Sequence, residues 1–350
     1  MLKSHNSLLM AIQASLVSRS PDPRFDELRQ WVSERLGLHA ALLEPASEDA
    51  SFRRYFRIRE GERSWVAMDA PPEREDCNPF VKVAHLMHDA GLHVPEIIAQ
   101  DLSRGYLLLS DLGTTTYLKA LNEDNADALF GDAIDALVKW QRASRPGVLP
   151  PYDEALLRRE LDLFPEWYLG RHLGLDANAE RALLEPVFAR LVRAALDQPG
   201  VYVHRDYMPR NLMVSEPNPG VLDFQDAVYG PITYDVVSLF RDAFISWPEA
   251  RVIDWSVRYW ERARKAGLAV ADDFAAFYRD FEWMGLQRHL KVIGIFARIH
   301  YRDGKPGYLD DTPRFFEYAR AVAGRYAELA GLARILDTIE TRGPRVAYSF

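Results

Sequence analysis

The sequence predicts an α+β fold in two lobes, a small N-terminal lobe on an antiparallel sheet and a larger C-terminal lobe that is mainly helical. Three observations carry this. The first ~110 residues alternate short runs rich in aromatic and β-branched residues with turn residues, as hairpins do. From Tyr117 onward Leu, Ala, Arg and Glu recur at helical spacing, interrupted only near residues 201–223. The length of 350 residues exceeds the size at which one hydrophobic core is the rule.

In chain order, Leu8 to Val17 is an apolar stretch interrupted by Gln13 and Ser15 and too short to span a bilayer, which favours a first helix over a signal peptide. After the Pro21-Asp22-Pro23 break, Phe25, Leu28, Trp31, Val32 and Leu36 share one helical face, and Gly37 ends the helix. Arg53 to Arg59 and Ser64 to Met68 read as two strands joined across Glu60-Gly61-Glu62-Arg63. A helix from about Pro79 to Ala90 closes at Gly91, and Glu96 to Ala99 and Tyr106 to Leu109 form a further strand pair around Ser103-Arg104-Gly105. Ser110-Asp111-Leu112-Gly113 is the natural joint, which divides the chain into an N-terminal lobe of residues 1–109, a hinge at 110–113 and a C-terminal lobe of 114–350. A crevice between two such lobes is a common place for a ligand. Trp140, Trp167, Trp255, Trp260 and Trp283 fall mostly at helical spacing and read as core.

Composition removes several function classes. The 48% apolar and 27% charged fractions are those of soluble globular chains, and no low-complexity tract or fixed-period repeat points to a fibre or solenoid. A formal charge of -8 lacks the clustered basic surface that gripping nucleic acid requires. Cys77 is the only cysteine, which excludes an intrachain disulfide and any cysteine-built metal site and fits a reducing cytoplasm.

The chemistry concentrates between Val201 and Asp226. Leu212 to Val214 and Val221 to Leu222 are apolar runs around a Ser-, Pro-, Asn- and Gly-rich turn, a β-hairpin with a longer loop. Pairing those strands brings Asn211, just before the first, beside Asp223, just after the second. Two hard oxygen donors converging in this way suit Mg²⁺, which keeps waters and is shared with substrate phosphates. Asp206, in the loop feeding the hairpin, is placed to accept a proton from an attacking hydroxyl. The order His204-Arg205-Asp206-x-x-x-x-Asn211 and then Asp223-Phe224 matches the catalytic-loop and metal-loop pattern of kinases.

Neighbouring residues admit two readings each. His204 is a structural hydrogen-bonding residue in preference to a proton shuttle. Arg210 either clamps the transferring phosphoryl group or balances the charge of two carboxylates. Asp226 either meets metal or substrate or caps a turn. Asp235 precedes an apolar helical run, where it either N-caps or steadies the catalytic loop from beneath, the second being preferred.

His204 to Asn211, Asp223 to Asp226 and Gly230-Pro-Ile-Thr-Tyr-Asp235 together resemble the aminoglycoside phosphotransferase and choline kinase group of the protein-kinase-like fold, with the parts in order along nearly the whole chain. His204 to Met213, with Ser47 to Phe56, is similar to bacterial kinases that act on the anomeric hydroxyl of N-acetylmuramate and N-acetylglucosamine in cell-wall recycling. The resemblance implies ATP and Mg²⁺ as cofactors and an amino sugar as acceptor. It also implies a nucleotide loop that includes Ser51, Phe52, Arg53 and Arg54, and backbone hydrogen bonds to adenine from Leu107 to Asp111, Leu109 and Asp111 among them. Two departures stand out. The loop has no Gly-x-Gly-x-x-Gly, although Ala50 and Ser51 are small enough for close backbone approach. The strand Trp65-Val-Ala-Met-Asp69 carries no lysine where the group's phosphate-pairing lysine is expected; Arg53 or Arg54 compensates, or both are solvated strand residues.

Acceptor classes can be weighed in the same terms. About a dozen residues separate Asp223 from the Asp235 helix and no Ala-Pro-Glu follows, so an activation segment for protein substrates does not fit. Choline or another amino alcohol, the alternative acceptors beside an aminoglycoside, would call for an aromatic cage, whereas the tryptophans at helical spacing read as core. On a helix from Glu282 to Tyr301, Arg288, Lys291, Arg298 and Arg302 share one basic face, ill suited to a polycationic aminoglycoside; that face is either solvated or welcomes a carboxylate such as a lactyl group. A nucleotide-binding pseudokinase would share the missing lysine, but retention of Asp206, Asn211 and Asp223 argues against it.

Overall fold

The computed structural model describes residues 22–47 and 52–342. The stretch Leu8 to Val17 and the loop residues Ala50 and Ser51 lie outside them. Helix α1 (Pro23–Leu36) starts where Asp22 accepts the Phe25 N–H at 3.1 Å, with Pro23 in the first turn, and ends at Gly37 in the left-handed region. Its buried stripe of Leu28, Trp31 and Val32 packs on Phe56, Ile58, Ala67, Tyr106 and Leu108 of the sheet. Truncating a core leucine such as Leu28 to alanine costs about 2–5 kcal/mol.

The sheet is antiparallel, in the order β1-β2-β3-β5-β4, with β1 (Leu43–Ser47), β2 (Arg54–Glu60), β3 (Arg63–Asp69), β4 (Ile97–Asp101) and β5 (Tyr106–Ser110). Both expected strand pairs form. Strand β1 is an addition: Leu-Glu-Pro-Ala-Ser shows no alternation of β-formers, and it pairs as an edge strand with a register shift between Pro45 and Ser47.

The chain forms two compact units, one from the described part of Met1–Asn78 with Glu96–Asp111, the other from Pro79–Pro95 with the described part of Leu112–Phe350. All but the first residue of helix α2 (Asn78–Asp89) thus groups with the helical unit, where a division in chain order assigns it to the sheet. That unit continues with α3 (Tyr117–Ala120), α4 (Ala126–Arg142), α5 (Glu154–Leu161), a π-helical segment Phe164–His172 and α6 (Ala177–Leu196). Strands β6 (Gly200–Val203) and β9 (Val228–Pro231) pair, and β7 (Leu212–Met213) pairs with β8 (Gly220–Val221). Helices α7 (Tyr234–Phe240), α8 (Glu249–Lys265), α9 (Phe274–Asp303), α10 (Thr312–Ala323) and α11 (Ala330–Arg342) complete it. The architecture is the expected α+β class, a small antiparallel sheet followed by helices.

Helix α9 begins earlier than expected, where Asp273 accepts the Ala276 N–H at 3.1 Å, and it is buried on all sides from Phe281 to Lys291. A helix apolar or buried all round lies inside its unit and does not line its surface. Trp140, Trp255 and Trp283 are core residues as expected, while Trp167 and Trp260 are half-buried. Among the described residues no helix is long and apolar enough to cross a membrane.

Candidate active site

The catalytic loop is suspended between two small strand pairs. Pairing of Val203 with Val228 draws the chain before His204 beside the chain after Asp226. Gly230 permits this, because a Cβ there would come within 2.6 Å of Tyr152 Cβ. The second pair, Leu212 with Val221 and Met213 with Gly220, is the expected hairpin, and the Leu222 N–H donates to the Asn211 carbonyl at 2.9 Å. Asn211 and Asp223 are therefore neighbours: Asn211 Nδ2 donates to Asp223 Oδ2 at 3.3 Å. Gln225 Nε2 donates to the other carboxylate oxygen at 2.9 Å. Phe224, between them, is buried against Phe80 with ring centroids 4.8 Å apart.

Asp206 is held by its backbone and not by its side chain. Its carbonyl accepts the Met208 N–H and the Asn211 Nδ2, both at 2.9 Å, and its N–H donates to His204 Nδ1 at 3.3 Å. The next residue, Tyr207, donates its hydroxyl to the Ala133 carbonyl on α4 at 2.8 Å. Among the described residues nothing donates a hydrogen bond to the half-buried Asp206 carboxylate.

His204 and Asp235 form the floor. Asp235 is fully buried, and its two oxygens accept the N–H groups of His204 at 2.7 Å and Arg205 at 3.0 Å. Both contacts run to the chain just before Asp206, and among the described residues no side-chain cap is made at the start of α7. Burial pushes the Asp235 carboxyl up to about 7, against the pull of those two donors. His204 is also fully buried; its Nε2 donates to the Leu222 carbonyl at 3.0 Å while Nδ1 accepts from Asp206, a neutral tautomer. Burial holds the imidazole down at about 4. The ring thus links the Leu222 carbonyl to the Asp206 N–H.

Two residues of the loop are strained: Arg205 has φ 77° and Asp223 has φ 63°. Such conformations cost non-glycine residues of order 1–3 kcal/mol each and cluster at functional sites.

The donor set can be tested against Mg²⁺. Asn211 turns its amide nitrogen to Asp206 and Asp223, which leaves its Oδ1 as an oxygen donor beside the Asp223 carboxylate. Among the described residues no cluster of three His, Cys, Asp or Glu side chains forms an all-protein metal site. Two hard oxygen donors with no nitrogen or sulfur fit Mg²⁺ shared with phosphates and do not fit zinc.

Arg210 is exposed, with its guanidinium carbon 5.1 Å over the Phe244 ring, and makes no ion pair with Asp206 or Asp223. Asp226 is exposed, and its carbonyl accepts from Arg205 Nη1 at 3.5 Å.

In the sheet unit the two arginines that could replace the missing lysine have different partners. Arg54 is committed to fully buried Asp69, through Nε at 2.9 Å and Nη2 at 2.5 Å, and to Asp22 at the start of α1. Arg53 pairs with Glu75 at 3.0 Å. Phe52 is exposed with Arg74 over its ring. Leu109 lies in the internal strand β5 with Val66 and Ile97 as partners on either side, and Asp111 just beyond the strand's end. There Asp111 accepts a two-pronged hydrogen bond from Arg57, at 2.6 and 3.0 Å.

The basic face of α9 requires correction. Lys291 is buried and paired with Glu160 at 2.9 Å, and exposed Arg302 is paired with its neighbour Asp303 at 2.7 Å. Arg298 is half-buried. Arg288 is buried; Nη2 meets Met208 Sδ of the catalytic loop at 3.9 Å, while Nε and Nη1 have no hydrogen-bond partner among the described residues. The helical wheel placed these residues on one side, but not what surrounds that side. Glu160, which meets Arg205, and Gln225, which meets Asp223, were not singled out; nor, in the sheet unit, was Glu75, the partner of Arg53. Only Gln225, two residues after Asp223, had a sequence signal in its position.

The profile of the APH phosphotransferase enzyme family matches residues 42–274. A Pseudomonas putida protein named N-acetylmuramate/N-acetylglucosamine kinase is 57% identical over 330 residues, 91% of this chain and 97% of its own. A Pseudomonas aeruginosa protein of the same name is 57% identical over 331 residues, 91% of this chain and 98% of its own. Among solved structures, the ADP-bound aminoglycoside phosphotransferase APH(2'')-Ib superposes with a TM-score of 0.57 at 13% identity, over 85% of this chain and 98% of that one, a likeness of fold.

Proposed function

The chain belongs to the APH phosphotransferase enzyme family, and on that premise we propose that it transfers the γ-phosphoryl group of ATP to the anomeric hydroxyl of N-acetylmuramate and N-acetylglucosamine. The observation that carries the chemistry is Asp206, whose backbone is fixed by Met208, Asn211 and His204 while its carboxylate remains uncommitted. As the sugar oxygen bonds to phosphorus and the bond to the leaving ADP breaks, the hydroxyl proton passes to Asp206. Asn211 and Asp223 would hold Mg²⁺, which when bound neutralises the phosphate oxygens. Exposed Arg210, free of carboxylate partners among the described residues, is assigned to the transferring phosphoryl group. Arg53 and not Arg54 is assigned to the nucleotide phosphates, because Arg54 is already used by Asp69 and Asp22. A reducing, cytoplasmic setting is part of this reading, on the single buried Cys77.

The two acceptors differ by a lactyl carboxylate, which needs a cationic partner when desolvated. With Lys291 buried against Glu160 and exposed Arg302 paired with Asp303, Arg288 beside the catalytic loop is the residue assigned to it. Arg288→Gln should raise KM for N-acetylmuramate more than for N-acetylglucosamine; an equal rise for both removes the assignment.

The reaction itself is tested by incubating the protein with ATP, Mg²⁺ and each sugar and locating the new phosphate by NMR. Phosphate on the anomeric oxygen is expected, with no transfer after chelation of Mg²⁺. The methyl glycoside of N-acetylglucosamine has that oxygen blocked and should stay unmodified; phosphate on it would move the reaction to another hydroxyl.

A further inference from the structure

Arg205 stands immediately before Asp206 with φ 77°, a backbone region that glycine enters freely and that costs an L side chain. A glycine there would relieve the strain, so the arginine side chain is the feature to explain. Its Nη2 donates to Glu160 Oε1 at 2.7 Å, and its guanidinium carbon lies 5.9 Å over the Tyr152 ring. Glu160, on α5, is buried and saturated. Oε1 also receives Lys291 Nζ at 2.9 Å, while Oε2 accepts the Tyr152 hydroxyl and the Gln287 amide at 3.1 Å. Lys291 in turn donates to the Tyr234 hydroxyl at 3.0 Å.

The charges are consistent with this wiring. Burial works against an ionised Glu160, but Lys291 and Arg205 outweigh it and hold the carboxyl down at about 2. Burial likewise opposes the Lys291 charge, and Tyr234, Glu160 and Asp206 together raise it above the usual lysine range. Arg205 is thus gripped at both ends: its N–H by Asp235 at 3.0 Å and its guanidinium by Glu160. Both grips are made with the backbone at positive φ, and the next residue is Asp206.

We propose that Glu160 is a positioning residue for phosphoryl transfer: through Arg205 it holds the catalytic loop in the left-handed turn that presents Asp206 to the acceptor hydroxyl. This rests on the reading of Asp206 as the base, and the two can fail separately. A wild-type protein without transferase activity sinks that reading, whereas an active wild type with an unaffected Arg205 variant sinks only this one.

The experiment is Arg205→Gly in the full chain, with kcat, both KM values, nucleotide affinity and thermal unfolding measured together. Glycine accepts the local backbone more easily than arginine, so the variant should fold with an unfolding temperature no lower than wild type if strain dominates. The expected result is a kcat lowered by about tenfold or more, the size of effect that ångström-scale misplacement produces, with KM and nucleotide affinity little changed. Arg205→Lys, which keeps a cation within reach of Glu160, should recover part of the loss. In a cycle with Glu160→Gln the double variant should fall no further than Arg205→Gly alone, because both act through one contact. A kcat for Arg205→Gly equal to wild type overturns the proposal, as do additive losses in the cycle.

Discussion

Asp69 and Glu160 are both buried carboxylates that each hold two cations, one in the sheet unit and one in the helical unit, yet they serve different ends. Asp69, at the end of β3, receives Arg24 from α1 and Arg54 from β2, whose side chains are 27% and 37% exposed. Its cluster fastens a regular helix to a regular sheet. Glu160 receives Arg205 and Lys291, 21% and 10% exposed, and Arg205 has a backbone it would not adopt alone. Buried ion pairs are a weak argument for stability, since desolvation offsets most of their attraction. What separates these two is the state of the chain they grip: the first joins elements that exist without it, the second grips a strained turn next to Asp206, the proposed base.

Glu160→Gln breaks the contrast most directly. Turnover should fall by about 10- to 100-fold through loss of loop geometry, with the KM values far less affected. An unfolding temperature lowered with kcat intact would make Glu160 the same kind of residue as Asp69. Asp69→Asn should do the reverse, lowering stability by about 1.5–3 kcal/mol with its part-exposed arginines still hydrated, and leaving kcat of the folded fraction unchanged. Chemical denaturation beside steady-state kinetics decides it.

The arginines sharpen the comparison within the sheet unit. Arg53→Gln should weaken ATP binding by about tenfold and AMP binding little, as loss of one charge-assisted hydrogen bond to phosphate predicts. Arg54→Gln should shift stability only, because its guanidinium serves Asp69. Equal losses of ATP affinity in both variants would remove the distinction.

The smallest effect concerns His204. Buried at about 4, it stays neutral while the same imidazole in the unfolded chain protonates near 6.5. Between those values a falling pH adds a proton to the unfolded chain alone, so the stability that neutral His204 contributes is lost from 6.5 downward to about 4. Asp235 acts in the opposite sense, its carboxyl raised to about 7 by burial, so that protonation favours the folded state as pH falls below 7. An NMR titration of the His204 ring separates the two: a midpoint near 4 is expected, and one near 6.5 would mean the ring is not sealed.

How much of this was legible in the sequence follows from separation and surroundings. The Asn211 and Asp223 pair could be read because a hairpin with local turn signals joins them, and Asp235 because Thr-Tyr-Asp directly precedes an apolar helix. Arg54 with Asp69 was recoverable in principle, since the two are opposite each other in the β2–β3 register. Glu160 was not: it lies 45 residues before Arg205 on an amphipathic helix that looks like any other. Strand β1 was hidden because Leu-Glu-Pro-Ala-Ser acquires its conformation from its neighbour. The basic face of α9 was read correctly as a set of angles and wrongly as a surface, because periodicity gives direction around a helix axis and not what packs there.

Asp206 is the proposed base, its backbone fixed and its carboxylate spare among the described residues. Single-turnover transfer by Asp206→Asn, with ATP affinity measured on the same sample, tests this most directly. The predicted result is unchanged ATP affinity and a transfer rate lowered by about 10²- to 10⁴-fold. A folded variant that binds ATP and loses less than about tenfold in rate would contradict the account, because proton removal by Asp206 would then contribute too little to be the role of the loop.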